Sequence, residues 1–152
     1  MRKLFIYYSL TGNGDFVASK MLENGYEVRK VIEKKKMPKS FFWRVLIGGF
    51  RAGMNQKAKL IDYDNDISNY DEIVIGSPVW NGRFPPVINS VLDQTDFKDK
   101  KLSFLFYSGS GDRPKVMKMI NENYPNSEVI ILKEPKTHVD ELDKVIYLGE
   151  KL

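Results

Sequence analysis

Residues 5–22 read FIYYSLTGNGDFVASKML. An apolar run from Phe5 to Tyr8 gives way to Ser9-Leu10-Thr11-Gly12-Asn13-Gly14. A helical pattern then predicts a helix over 14–24, with Val17, Met21 and Leu22 on its inner face. A helix N-terminus presents unpaired N–H groups and the positive end of the helix dipole, and both suit a phosphate. Ser9 and Thr11 add hydroxyl donors, while Gly12 and Gly14 let the backbone approach a ligand closely. The loop holds no Lys or Arg, so the stretch predicts an electrically neutral phosphate cradle. A purely structural turn and cap is the alternative reading of the same residues.

Three other phosphate schemes fail on named residues. No Gly-Lys-Ser/Thr follows the loop, which excludes a P-loop nucleotidase. Val17 stands where the third glycine of G-x-G-x-x-G would be needed. A receiver domain needs acids at the end of its first strand, and residues 1–14 contain none.

Outward from this stretch, apolar runs at 3–9, 71–77, 101–108 and 127–133 predict strands covered on both faces. Residues 26–32 alternate and read as an edge strand. Helical patterns lie between the strands. Val87, Ile88, Val91 and Leu92 follow Pro85-Pro86; Val116, Met119 and Ile120 follow Asp112, a plausible N-cap. Near the C-terminus, Thr137 offers a cap before Leu142, Val145 and Ile146. Alternating strands and helices imply a parallel α/β sheet, and 152 residues suit one domain.

Composition narrows the chemistry. There is no cysteine, which excludes disulfides, zinc–cysteine sites, iron–sulfur clusters and thiol catalysis. His138 is the only histidine and reads as a partly exposed residue near a helix start. The basic-then-apolar opening MRKLFIYYSL is too short in its apolar part, about seven residues, for a signal peptide with a cleavage site. No stretch reaches the ~20 apolar residues of a membrane span, so the expected location is cytoplasmic. Eight of the 24 basic residues fall between Lys34 and Lys59 with no acid among them, leaving 16 bases against 20 acids elsewhere.

With three loops in view, the chain resembles the flavodoxin family. Ser9, Thr11, Gly12 and Asn13 fit the family's first loop, S/T-x-T-G-N-T, with Gly14 where the family usually places a hydroxyl residue. The stretch DEIVIGSPVWNGRFPPVINSVLDQ is similar to the loop after the family's third strand, where an aromatic lies against the isoalloxazine ring. Trp80 matches that position, and stacking there would contribute ~1–3 kcal/mol. The resemblance implies that the Asn81-Gly82 peptide turns its carbonyl toward flavin N5–H after one-electron reduction; an ordinary tight turn is the alternative. The stretch FYSGSGDRP, with Ser108, Gly109, Gly111 and Asp112, is similar to the loop that meets the flavin edge. Ser110 stands where many members carry a covering aromatic, which implies an open outer flavin face.

The resemblance spans Lys3 to Leu152 and implies a three-layer sandwich with strand order 2-1-3-4-5, short-chain type. It implies FMN as cofactor, held by the first-loop residues Ser9 to Gly14, Leu10 included. Ser77, Pro78, Val79, Trp80, Asn81, Gly82, Phe84, Ser108, Gly109, Gly111 and Asp112 complete the implied set. No catalytic residue and no metal site is predicted. The favoured activity is one-electron transfer between protein partners. The alternative is an FMN-dependent NAD(P)H oxidoreductase acting on a quinone or similar acceptor, with Arg83 or Arg113 as anion contacts. The basic 34–59 segment should carry a second helix, with Phe42, Leu46 and Phe50 on one face and Gly48-Gly49 weakening it. It reads as a core helix with a solvated basic side, or as a docking surface for redox partners or an anionic membrane surface. No base-reading motif points to nucleic acid.

Overall fold

Runs rich in β-branched and aromatic residues form the five strands of the molecule. The structure, a computed structural model, describes residues 1–35, 40, 56–109, 114–146 and 148. Strand β1 is Lys3–Tyr7, β2 Tyr26–Lys30, β3 Glu72–Pro78, β4 Lys101–Ser108 and β5 Glu128–Lys133. All neighbours pair in parallel, in the order β2-β1-β3-β4-β5. Helix α1 is Asn13–Glu23, α2 Pro86–Gln94 and α3 Pro114–Asn123; a 3-10 turn, Val139–Leu142, runs into the four-residue α4, Asp143–Ile146.

The pleat of the strands sorts side chains into two cores. Leu4, Ile6, Ile73, Ile75, Phe104 and Phe106 pack with Val87, Ile88 and Val91 of α2 and Val116 and Ile120 of α3. Phe5, Tyr7, Val74, Leu105, Tyr107 and Leu132 pack on the other face, with Val17, Ala18 and Met21 of α1 and Val145 of α4. Helices on both faces of one sheet make the expected three-layer flavodoxin-like sandwich.

Some local expectations change. Leu22 is 58% exposed and Ile146 38% exposed. Each follows a fully packed residue, Met21 or Val145, and lies about 100° further round its helix, beyond the buried stripe. The C-terminal cap is His138, half-buried as its reading suggested, rather than Thr137. Pro85 caps α2 and Pro86 opens it, a position that needs no N–H. The proposed cap Asp112 and most of the 34–59 helix lie outside the described residues. The two ends of that segment are joined, with Lys34 N–H donating to Lys59 O at 2.8 Å and Ile61 N–H to Ile32 O at 2.9 Å. Among the described residues no helix is long and apolar enough to cross a membrane.

Gly76, central in β3, is what lets the Phe5 ring lie flat on the sheet. A Cβ there would sit 2.4 Å from Phe5 Cζ and 2.8 Å from Tyr7 Cβ. Gly76→Ala is expected to cost about 1–3 kcal/mol by overpacking. Urea denaturation should show a lower midpoint with an unchanged slope.

Candidate functional site

At the carboxyl end of β1 the chain leaves the sheet gradually. Val31 N–H donates to Tyr7 O at 2.8 Å, and Tyr8 N–H to Gly76 O at 3.1 Å, so the backbone stays in register one residue past the strand. It then turns through Ser9 to Gly12, whose φ of 93° makes it a left-handed N-cap for α1. Gly12 O accepts the first helical bond, from Phe16 N–H at 3.0 Å. Ser9 Oγ accepts two amide hydrogens, from Gly12 at 3.1 Å and Gly14 at 3.0 Å. Both of its lone pairs are thereby used, and its own hydrogen goes to no group among the described residues. A spare O–H at a helix N-terminus is what an oxyanion can use; the Gly12 and Gly14 amides are taken up by Ser9 Oγ and aim that hydroxyl. Thr11 is exposed at the rim, and Leu10 is half-buried behind it.

Gly14 departs from the family pattern for a reason visible in the packing. A Cβ on it would lie 2.6 Å from Tyr107 Oη, 2.7 Å from Ser9 Cβ and 2.9 Å from Tyr7 Cδ2. Two tyrosines fill the volume a side chain would need. Tyr107, buried beneath the loop, donates its hydroxyl to Tyr8 O. Tyr7 Oη donates to Asp15 Oδ1 at 2.8 Å, and Lys30 Nζ donates to the same oxygen at 2.7 Å. Burial pushes both tyrosine pKa values up; for Tyr7 its bond to Asp15 adds to this, so both stay protonated donors. Burial works against the Asp15 carboxylate, but the bonds from Lys30 and Tyr7 and the Lys30 charge outweigh it and hold its pKa below the usual value.

The cradle is not neutral. The turn after β5 carries Lys136 to the loop, where a Cβ on Gly12 would lie 3.6 Å from Lys136 Nζ and 4.0 Å from its Cδ. Lys136 N–H donates to Asn13 Oδ1 at 3.1 Å, so the Asn13 carbonyl oxygen ties the two segments together. Glu134 N–H donates to Ser108 O at 3.0 Å, and Glu134 O accepts from Thr137 and His138 N–H at 2.8 and 2.9 Å. Nothing in the first stretch signals Lys136, which is 123 positions from Asn13 in the chain.

The second loop supplies a hairpin-like turn. Trp80 and Arg83 exchange both backbone hydrogen bonds at 3.0 Å. Asn81 has φ 51° and Gly82 φ 71°, which makes a type I′ turn. Trp80 is half-buried, its ring edge-on to Tyr8 at 5.9 Å and 78°. Between this turn and the start of α3 lies a cleft of about 420 Å³, lined by Val79, Asn81, Gly82, Pro114 and Lys115. A neighbouring groove of about 570 Å³ continues along Arg83, Lys115, Lys118, Met119 and Glu122. Both volumes fall in the range of small-molecule sites.

Other implied contacts stand elsewhere. Phe84 is a core ring, 5.6 Å from Phe104 and 5.5 Å from Phe106, since the segment entering α2 turns it into the core beneath that helix. Ser77 is fully buried, and its hydroxyl donates to Pro78 O at 2.8 Å rather than to the cleft. Ser108 is buried at the end of β4 and Gly109 exposed just beyond it. Ser110, Gly111, Asp112 and Arg113 lie outside the described residues. Among the described residues no cluster of His, Cys, Asp or Glu could hold a metal ion.

Compared with known proteins, residues 50–145 match the family described as Flavodoxin. The match takes in the second and third loops and leaves the first outside it. No curated protein matches the sequence. A solved structure from Bacteroides eggerthii, provisionally described as a flavoprotein, gives a TM-score of 0.72 at 22% identity, covering 96% of this chain and 98% of that one. A flavoprotein from Lactobacillus acidophilus, in complex with FMN, gives 0.65 at 26% identity, covering 93% of this chain and 98% of that one. An NADPH-quinone reductase from P. pentosaceus gives 0.60 at 9% identity, covering 100% and 99%. At 22% and 9% identity the first and last likenesses speak for the fold alone.

The packing at Gly14 predicts the outcome of restoring a hydroxyl there. Gly14→Ser should lower stability by about 1–3 kcal/mol. Combined with Tyr107→Phe, which removes the nearest clashing atom, the two changes should cost less than the sum of the single costs. A double-mutant cycle by urea denaturation measures the coupling.

Proposed function

Because this chain belongs to the flavodoxin family, we propose that it binds FMN and serves as an electron carrier, passing electrons singly between partner proteins. The observation that carries the reading is the spare Ser9 hydroxyl, held in place by the Gly12 and Gly14 amides at the start of α1, on the same edge of the sheet as the Asn81-Gly82 turn and its cleft. The cofactor is FMN, the group held by the Lactobacillus flavoprotein of similar fold. When bound, FMN supplies the electron store and gains N–H donors as it is reduced. The chain supplies position. The Ser9 and Thr11 hydroxyls and the N-terminus of α1 hold the phosphate; Val79, Asn81, Gly82, Pro114 and Lys115 wall the ring cleft, and Trp80 stands between Val79 and Asn81 at its edge.

The Asn81-Gly82 turn sets the chain's response to reduction. At rest both residues have positive φ, the type I′ arrangement that Asn-Gly favours. Inverting the central peptide, to present Asn81 O as an acceptor, converts the turn toward type II′. That form leaves Asn81 where glycine is preferred. The inversion is therefore costlier than the two residue types alone suggest.

A second reading is favoured by one observation. Among the described residues, the 570 Å³ groove beside the turn is lined by Arg83, Lys115 and Lys118 against one acid, Glu122, which suits an anionic nicotinamide dinucleotide. On that reading the protein is an NAD(P)H oxidoreductase passing a hydride through FMN to a quinone-like acceptor. We assign partner docking to the basic 34–59 segment and place the protein in the cytoplasm. Anaerobic potentiometric titration of the FMN-loaded protein separates the readings. Two resolved one-electron steps support the carrier; a single two-electron step, driven by NADH or NADPH at a catalytic rate, favours the enzyme.

Two substitutions probe the ring end. Trp80→Ala should weaken FMN binding by ~1–3 kcal/mol, read from flavin fluorescence quenching. Asn81→Gly should raise the midpoint of the first electron by tens of millivolts, since strain of about 1 kcal/mol is relieved only in the reduced turn.

A further inference from the structure

Lys136 lies against Gly12, over the mouth of the first loop, although it belongs to the turn after β5. We propose that Lys136 supplies the counter-charge for the phosphate of FMN, making the cradle selective for the phosphorylated flavin over riboflavin. The proposal rests on the FMN reading above and adds to it a residue from outside the first loop.

The charges around the loop decide the matter. Asp15, in the first turn of α1, would repel an anion there, but Lys30 neutralises it at 2.7 Å while Tyr7 bonds the same oxygen. Glu134 Oε1 lies 3.8 Å from the Cβ position of Gly109, toward the third loop. Lys136 forms no ion pair among the described residues. With the Asp15–Lys30 pair cancelled, and Glu33 and Lys35 both lying on the β2 side of the loop, Lys136 is, among the described residues, the cation placed at Gly12 over the helix N-terminus.

The turn that presents this charge is tightly specified. Glu134 has φ 39°, a left-handed conformation that a side chain rarely adopts, and three backbone bonds hold it there. The Lys136 amide is separately anchored to Asn13, the first residue of α1. A surface lysine with no role would need neither constraint. The long stem lies on Gly12 while the ammonium reaches the loop, so binding costs little extra ordering of the side chain.

The test compares wild type, Lys136→Gln and Lys136→Arg, titrated with FMN and with riboflavin by fluorescence quenching in low and high potassium chloride. At low salt, Lys136→Gln should weaken FMN about 3- to 10-fold while Lys136→Arg stays near wild type. Riboflavin should bind all three equally, and the FMN difference should shrink in high salt. The phosphorus NMR shift of bound FMN should move in the glutamine variant. Equal FMN affinity for wild type and Lys136→Gln at low salt overturns the proposal and leaves the FMN reading standing. So does an equal loss of FMN and riboflavin, which would make Lys136 a structural residue. Failure of the wild type to bind FMN at all overturns both.

Discussion

The amide of Gly14 can reach Ser9 only because nothing projects from its Cα toward Tyr7, Ser9 and Tyr107. That close approach brings the first turn of α1 down onto the end of β1, and with it the loop's converging amides. The two tyrosines beneath are held by bonds of their own, Tyr107 to the Tyr8 carbonyl and Tyr7 to Asp15. A buried hydroxyl left without a partner would cost about 1–3 kcal/mol, so the pair could not fill this volume without those acceptors. The floor of the site is thus set by packing and polar satisfaction together. A family pattern with a hydroxyl at position 14 needs a different floor.

Charge at this edge follows the same economy of position. A carboxylate in the first turn is favoured by the helix dipole, and Asp15 is placed accordingly. It would oppose any anion at the same N-terminus, yet Lys30 from β2 and Tyr7 from β1 take up its oxygen. Three elements of the chain therefore meet at one carboxylate atom. Acidification through the lowered Asp15 pKa would dissolve this junction, because the stability it gives is present above the unfolded pKa and lost below the folded one.

Much of this was legible in the residues. Continuous apolar runs marked four strands and an alternating run the fifth, and punctuation by Ser, Gly, Asn and Pro located the loops. Those signals are local and placed the first-loop residues side by side, while the sheet order, which matches, was implied by the family resemblance. Contacts between distant segments left no such trace. Lys136 sits in an ordinary-looking turn, and only the folded sheet carries that turn to α1. The reason for Gly14 lies in tyrosines on two other elements. Phe84 and Ser77 were read as contacts because they flank the right loop, but the pleat at the end of β3 sets the direction of Ser77, and the core beneath α2 takes up Phe84. Leu22 and Ile146 failed for a simpler reason: a helix one residue past its buried stripe faces solvent.

The ring end brings the fold's two themes, backbone strain and placed charge, onto one process. Adding an electron to a bound flavin adds negative charge, and nearby cations favour that state by an amount that grows as water is excluded. Here Lys115 borders the cleft, and Arg83 and Lys118 line the neighbouring groove with, among the described residues, one acid, Glu122, 3.9 Å from Lys118. Against them stands the resting Asn81-Gly82 turn, whose preferred geometry resists inversion. At the flavin site proposed above, the cations would pull the first reduction potential up and the turn would hold it down. On the carrier reading proposed above, such basic surroundings call for a stiff turn if the flavin is to release electrons as readily as it accepts them, and Asn-Gly in the type I′ form is such a turn.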